Sequence, residues 1–197
     1  MMRRTKDVIV SFEPVSDEDI KKVSLFWRVI YEWSDSLLIA ILAIFILFAF
    51  VFRIATVKGD SMNPTLSDSD WVTVKPFTTE IKRGDIIISS QPNAFDDELL
   101  IKRVIAVAGD EVDINYADGI VYVNGDIVHE PYIAEPTKTI YDVAFPVTVP
   151  EGCYFVMGDN RNHSVDSRRK AVGFIKKEFV LGKVNSRIFP LGNFRVE

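Results

Sequence analysis

The sequence predicts a mainly β protein: an antiparallel β-sheet domain carrying a smaller inserted β lobe, preceded by one N-terminal transmembrane helix. Three observations predict it. From Thr56 onward the chain is β-rich, with short β-branched or aromatic runs separated by Gly, Pro, Asn and Asp. Ser36 to Phe52 is a run of 17 residues without a charge. Residues 110–150 carry Pro131, Pro136, Pro146 and Pro150 and interrupt the stretches that flank them, as an insert does.

In chain order, residues 1–35 are polar, with a mixed-charge run beginning at Ser16. Ser16 followed by Asp19 resembles a capping box, so a short lead-in helix or a solvated tail is expected here. The apolar run follows. At about 1.5 Å per residue it reaches roughly 26 Å, against about 30 Å of hydrocarbon. Its continuation past Arg53, with the arginine stem snorkelling, extends the predicted anchor over residues 36–57. Trp27, Tyr31 and Trp33 suit an interfacial belt. Apolar residues occupy every side of the run, so it is no amphipathic surface helix, and the alternative is a buried core helix. A long polar lead and a bulky end at Phe50–Phe52 argue against a cleaved leader. Lys21, Lys22 and Arg28 on one side, against Arg53 and Lys58 on the other, narrowly favour an inside N-terminus.

Strands are predicted at Trp71–Lys75, Asp85–Ser89, Leu100–Ala108, Glu111–Asn115, Ile120–Val123, Val147–Val149 and Cys153–Met157. Asn124-Gly125 between two such runs is a tight hairpin signal. The only helical turn expected after the anchor is Lys176–Phe179.

A net charge of −5 supplies no basic footprint for nucleic acid. One cysteine, Cys153, permits no internal disulfide, and two histidines (His129, His163) without ligand spacing make a catalytic metal unsupported. No cofactor is expected.

Three stretches carry chemistry. In Gly59-Asp-Ser61-Met62-Asn-Pro-Thr-Leu66, Gly and Pro bracket a serine in a turn, either a plain turn or a holder for a hydroxyl. A serine needs a base to become a nucleophile. On a strand through Leu99–Asp110, Lys102 shares a face with Val104 and Ala106; an apolar face favours its neutral amine and lowers its pKa, the state of a general base. The alternative is a lysine on a solvated strand edge, the setting expected for Arg103. The third stretch, Gly158-Asp159-Asn-Arg-Asn-His163-Ser164-Val-Asp166-Ser-Arg168, is a solvated turn or a hydrogen-bond network around a site.

Together the three resemble the signatures of bacterial type I signal peptidases. Ser61, Met62, Pro64, Thr65 and Leu66 match S-M-x-P-T-L. Lys102, Arg103, Val104, Gly109 and Asp110 match K-R-V-x-x-x-x-G-D. Gly158, Asp159, Asn160, Arg161, Ser164, Asp166, Ser167 and Arg168 match G-D-N-R-x-x-S-x-D-S-R. The resemblance covers the anchor and essentially all of residues 36–190. It implies a serine endopeptidase that removes signal peptides from secretory preproteins, with residues 1–35 as a cytoplasmic tail and 58–197 as an extracytoplasmic catalytic domain (110–150 its inserted lobe). It makes Ser61 the nucleophile and Lys102 the general base. Ser164 would orient the lysine, Asp166 and Arg168 would brace the late loop with Asp159 in support, and Met62 would pack near the nucleophile. Some members carry a serine two residues before the nucleophile; Gly59 stands there, so the oxyanion is expected on backbone N–H groups, that of Ser61 with Gly59 helping. Partners are preproteins and membrane lipid.

Three rivals compete. His163, Asp166 and a serine suggest a triad. A soluble Ser-Lys self-cleaving regulator shares the dyad, but would carry an N-terminal DNA-binding domain or a short cleavage arm where this chain has an apolar run. A non-catalytic membrane-tethered β module explains the anchor but not the three stretches together.

Overall fold

The computed structural model describes residues 17–50, 53–75, 80–90 and 99–190. The chain divides into two units, residues 1–46 and 47–197.

In the first unit lies most of α1, Asp17–Phe50, one uninterrupted helix. The lead-in and the apolar run are therefore continuous, because no Gly or Pro falls between residues 17 and 50 to break the ladder. Every described side chain of α1 is exposed, Leu38, Ile39 and Phe45 among them. Among the described residues no helix is long and apolar enough to cross a membrane. Residues 25–45 still include Arg28, Glu32 and Asp35, and the predicted anchor falls in part outside the description, on residues 51–52 and the side chains of 46–50. Its extension to Val57 is corrected. Residues Arg53–Thr56 form a strand, β1, and Val57 is 2% exposed in the protein core.

The second unit is mainly β and antiparallel. Its strands are β1 (Arg53–Thr56), β2 (Trp71–Lys75), β3 (Ile86–Ser89), β4 (Leu100–Val107), β5 (Glu111–Asn115), β6 (Ile120–Val123), β7 (Asp126–Ile127), β8 (Val147–Thr148), β9 (Cys153–Met157), β10 (Ile175–Lys176) and β11 (Val180–Phe189). A seven-stranded sheet runs β1-β2-β11-β3-β4-β9-β10, and a four-stranded sheet runs β7-β6-β5-β8. The Asn124-Gly125 hairpin forms, both residues at positive φ (55° and 82°), as the twist of a two-residue loop requires. Lys177–Phe179 is a 3-10 turn.

β1, β10 and β11 are not among the predicted strands. β11 lies between β2 and β3 despite Gly182, Asn185 and Ser186, which break its apolar pattern. Gly182 is required there: a Cβ would sit 2.7 Å from the Lys75 carbonyl oxygen, so only glycine lets the two strands approach.

Three buried groups hold this unit. The first joins the smaller sheet to β4 and β9 through Ile105, Val112, Val121, Phe155 and Met157. The second packs Val57, Met62 and Leu66 against Val72, Ile86, Ile88 and Val184. The third contains Ile87, Leu100, Val104, Val156 and Ile175. The β4–β9 register shifts between Val104 and Ala106. Lys102 thus keeps Leu100 and Val104 on its face, but Ala106, expected with them, packs in the first group instead.

Candidate active site

The serine lies in the loop between β1 and β2. Val57 N–H donates to Asp70 O (2.8 Å) and Ser69 N–H to Val57 O (2.9 Å), closing the loop at its base. Inside it, Asn63 N–H bonds Asp60 O and Leu66 N–H bonds Met62 O, at 3.0 and 2.9 Å. Met62 (1% exposed) and Leu66 (0%) sink into the second core group. Met62, next to Ser61 in the chain, anchors this part of the loop in the core while Ser61 stays partly exposed. Gly59 has φ 79°, a conformation that disfavours a side chain.

The lysine comes from β4, where it pairs opposite Ile87. Its Nζ donates to Ser61 Oγ at 2.9 Å and to the Ile101 carbonyl at 2.9 Å. Burial pushes the Lys102 pKa down to about 8, while the nearby Asp166 and Asp159 carboxylates pull it partly back up. Ser61 and Lys102 line a cleft of about 350 Å³, whose wall includes Val57, Met62, Ile88, Leu99, Ile101, His163 and Val165. His163 is exposed on that wall, and the hydroxyl of Ser61 is partnered by Lys102.

The late loop braces both. Asn160 N–H bonds Ser61 O at 3.0 Å, and its side-chain amide reaches Asp60 O at 3.1 Å. Gly158 lies so close that a Cβ would stand 2.4 Å from Ser61 O. Asp166 and Arg168 form the expected pair, Arg168 Nε and Nη2 each donating at 2.8 Å. Both side chains are 0% exposed. Burial alone would raise the Asp166 pKa, but the bonds and charge of Arg168 and the Gly158 N–H (3.0 Å) outweigh it and hold the carboxyl below its usual range.

Asp159 ties the three stretches together. It accepts from Arg103 Nε (2.8 Å) and Nη2 (2.7 Å) on β4, and from the Thr65 hydroxyl in the serine loop. The solvated setting expected for Arg103 is therefore corrected. Arg103 is 2% exposed, paired with Asp159, donating to Gly84 O, and stacked over the Tyr132 ring at 3.9 Å.

Two further expectations meet a different geometry. The Ser164 hydroxyl is buried without a close hydrogen-bond partner; it lies near enough to Asp166 to favour the ionised carboxylate, and makes no bond to Lys102. Gly59 N–H donates to Asp68 Oδ1 at 2.7 Å, so it is already engaged and leaves the Ser61 N–H as the backbone donor beside the hydroxyl. Sequence reasoning also missed the support from Thr65, Asn160, Arg161 and Glu130. Thr65, Asn160 and Arg161 sat inside the motif stretches without a partner to suggest a role. Glu130 carried no signal, being remote in sequence and inside the irregular insert. Among the described residues no group of acidic, histidine or cysteine side chains is placed to hold a metal ion.

The family described as "Signal peptidase, peptidase S26" matches residues 30–189. Signal peptidase I of Bacillus licheniformis is 39% identical over 188 residues, 89% of this chain and 94% of that protein. Signal peptidase I S of Bacillus subtilis is 35% identical over 178 residues, 84% and 92% of the two chains. A crystal structure of a signal peptidase I from Enterococcus faecalis is 31% identical, covers 53% of this chain and 97% of that one, and superposes with a TM-score of 0.43. The family match takes in the serine loop, the lysine strand and the late loop in one stretch, and with full-length relatives above 30% identity the chain belongs to the signal peptidase I family of serine endopeptidases.

Proposed function

We propose that the protein removes signal peptides from secretory preproteins at the outer face of the membrane, cutting after small-x-small sequences through a Ser61–Lys102 acyl-enzyme mechanism. The observation that carries it is the buried Lys102 amine, 2.9 Å from Ser61 Oγ with its pKa lowered to about 8. As the free amine, Lys102 accepts the hydroxyl proton while Ser61 Oγ attacks the scissile carbonyl. The oxyanion is met by the Ser61 N–H. The ammonium gives its proton to the leaving amine, and the regenerated amine activates the water that releases the acyl group. Lys102 supplies the base, so the scheme uses no metal or cofactor.

The apolar run from Ser36 is the membrane anchor in this reading. Its support is the length of uncharged helix and the exposure of the described apolar side chains, a surface that lipid covers well. The tail before residue 36 is cytoplasmic and the β domain from Arg53 onward is extracytoplasmic, with 110–150 as an inserted lobe. Protease added to spheroplasts then digests the C-terminal domain and spares the tail; a protected C-terminal domain reverses the orientation.

The small-x-small specificity is carried over from the family; the apolar residues Val57, Met62 and Ile88 lining the cleft with Ser61 support it, since an apolar wall suits small side chains at the minus-one and minus-three positions. A test preprotein with Ala-x-Ala is cut by the purified enzyme. Gly or Ser at minus-one lowers kcat/KM by no more than about 10–200-fold, the cost of a lost methyl or an added hydroxyl in such a pocket, while Phe or Leu stops cutting. Efficient cleavage after Phe rules this specificity out.

A further inference from the structure

Residues 130–143 wrap around the late loop. Glu130 accepts both arms of the Arg161 guanidinium, Nη1 to Oε2 at 2.7 Å and Nη2 to Oε1 at 2.6 Å. The Glu130 side chain is 6% exposed and that of Arg161 0%. The same guanidinium donates to Thr137 Oγ1 at 3.0 Å and, through Nε, to the Gly158 carbonyl at 3.1 Å. Gly158 is the residue pressed against Ser61 O. One position further on, Asn162 Oδ1 accepts the Lys138 and Thr139 N–H groups at 3.0 and 2.9 Å. A two-pronged carboxylate–guanidinium bond fixes direction as well as distance. Replacing a buried ion pair by apolar residues of similar volume is often neutral for stability, so net stability alone does not account for this pair.

We propose that Glu130 is a positioning residue for the cleavage reaction: through Arg161 it fixes Gly158 against Ser61, and thereby sets where the Ser61 hydroxyl meets the Lys102 amine. This rests on the reading of Ser61 and Lys102 as the dyad. The carboxylates that act on the Lys102 charge are Asp166 and Asp159, so Glu130 acts on geometry and leaves base strength alone.

The test uses the full chain in detergent and a cleavable preprotein. Glu130→Gln keeps volume but removes the charge and one acceptor; Glu130→Asp restores the charge with a shorter reach; Glu135→Gln alters an exposed carboxylate of the same segment. Rates are expressed per folded molecule, with the folded fraction taken from near-UV circular dichroism and thermal melting. Glu130→Gln is expected to lower kcat by about 10- to 100-fold, the cost of a misplacement near 1 Å, with KM within about twofold. The pH midpoint stays at about 8, Glu130→Asp recovers part of the loss, and Glu135→Gln runs at the parent rate. Unchanged kcat per folded molecule in Glu130→Gln, with only the melting temperature lowered, overturns the positioning role. So does a loss confined to KM or a moved pH midpoint. Ser61→Ala and Lys102→Ala run alongside: activity in either one refutes the dyad itself, whereas inactive dyad variants beside a fully active Glu130→Gln refute the positioning role alone.

Discussion

Replacing Ser61 or Lys102 by alanine is expected to abolish preprotein cleavage, while His163→Ala keeps most of it. Without a base a serine hydroxyl is a poor nucleophile, and a positioned general base alone contributes about 10²–10⁴-fold. Removing either member of a pair that acts as a unit costs nearly as much as removing both. His163 lines the cleft but is exposed, and the hydroxyl of Ser61 already has Lys102 as its partner. The pH dependence follows from the same amine. The base works unprotonated, so kcat/KM rises with pH through about 8 rather than through the ordinary 10.5. The stability sign is opposite to that of an ion-paired lysine. The folded protein disfavours the charged amine, so the penalty is full below about 8 and disappears as pH rises through 10.5. Across that interval the penalty amounts to roughly 3 kcal/mol. Lys102→Met should therefore be inactive yet melt at a higher temperature than the parent at pH 7. A kinetic midpoint near 10.5, or a His163→Ala loss equal to that of Ser61→Ala, would refute the Ser-Lys assignment.

Asp159→Ala is expected to destabilise the domain by about 3–5 kcal/mol, because it leaves a buried guanidinium without its counter-charge. Arg103 and Asp159 are 2% and 0% exposed at their side chains, so both charges lie out of bulk solvent. The Thr65 hydroxyl loses its acceptor as well. Replacing both partners with apolar residues of similar volume, as in Arg103→Met with Asp159→Leu, should restore most of that loss, since the charge and its desolvation leave together. Urea titration of the single and double variants checks both statements; a single-variant cost below about 1 kcal/mol is the value of an exposed pair and contradicts the buried-pair account. The comparison is internal, because Arg28–Glu32 is such an exposed pair. Asp159 also raises the Lys102 pKa, so in folded Asp159→Ala the rising limb of the rate profile shifts to lower pH.

Much of this protein was legible in the sequence. Alternation and turn residues marked β2 to β6, β9 and the Asn124-Gly125 hairpin, because a strand's period and a turn's φ demands are local properties. The three motif stretches named Ser61 and Lys102 before any distance between them was known. The strand pattern of β4 left Lys102 either on an apolar face with a lowered pKa or on a solvated edge; the structure buries it, and the register shift after Val104 removes Ala106 from its face. β1 and β11 were not legible. Four residues after an apolar helix read as its continuation, and the Gly182 and Asn185-Ser186 interruptions hide a strand whose ten residues hold their place by pairing with β2 and β3.

What the sequence determined by itself is the local structure and the candidates it carries: a serine in a Gly–Pro turn, a lysine on a β-strand and a polar late loop, because periodicity and turn chemistry are local properties. What only the tertiary structure decided is the ownership of each polar group. Arg103 follows Lys102 on the opposite face of the strand, and periodicity alone could not say whether that face meets water or protein; the late loop covers it, 56 residues away in sequence, and makes it an ion pair with Asp159. Gly59 N–H went to Asp68, and Arg161 to Glu130 at a separation of 31. Most buried donors and acceptors are partnered, and the partner is fixed by the packing of distant segments rather than by the residues on either side.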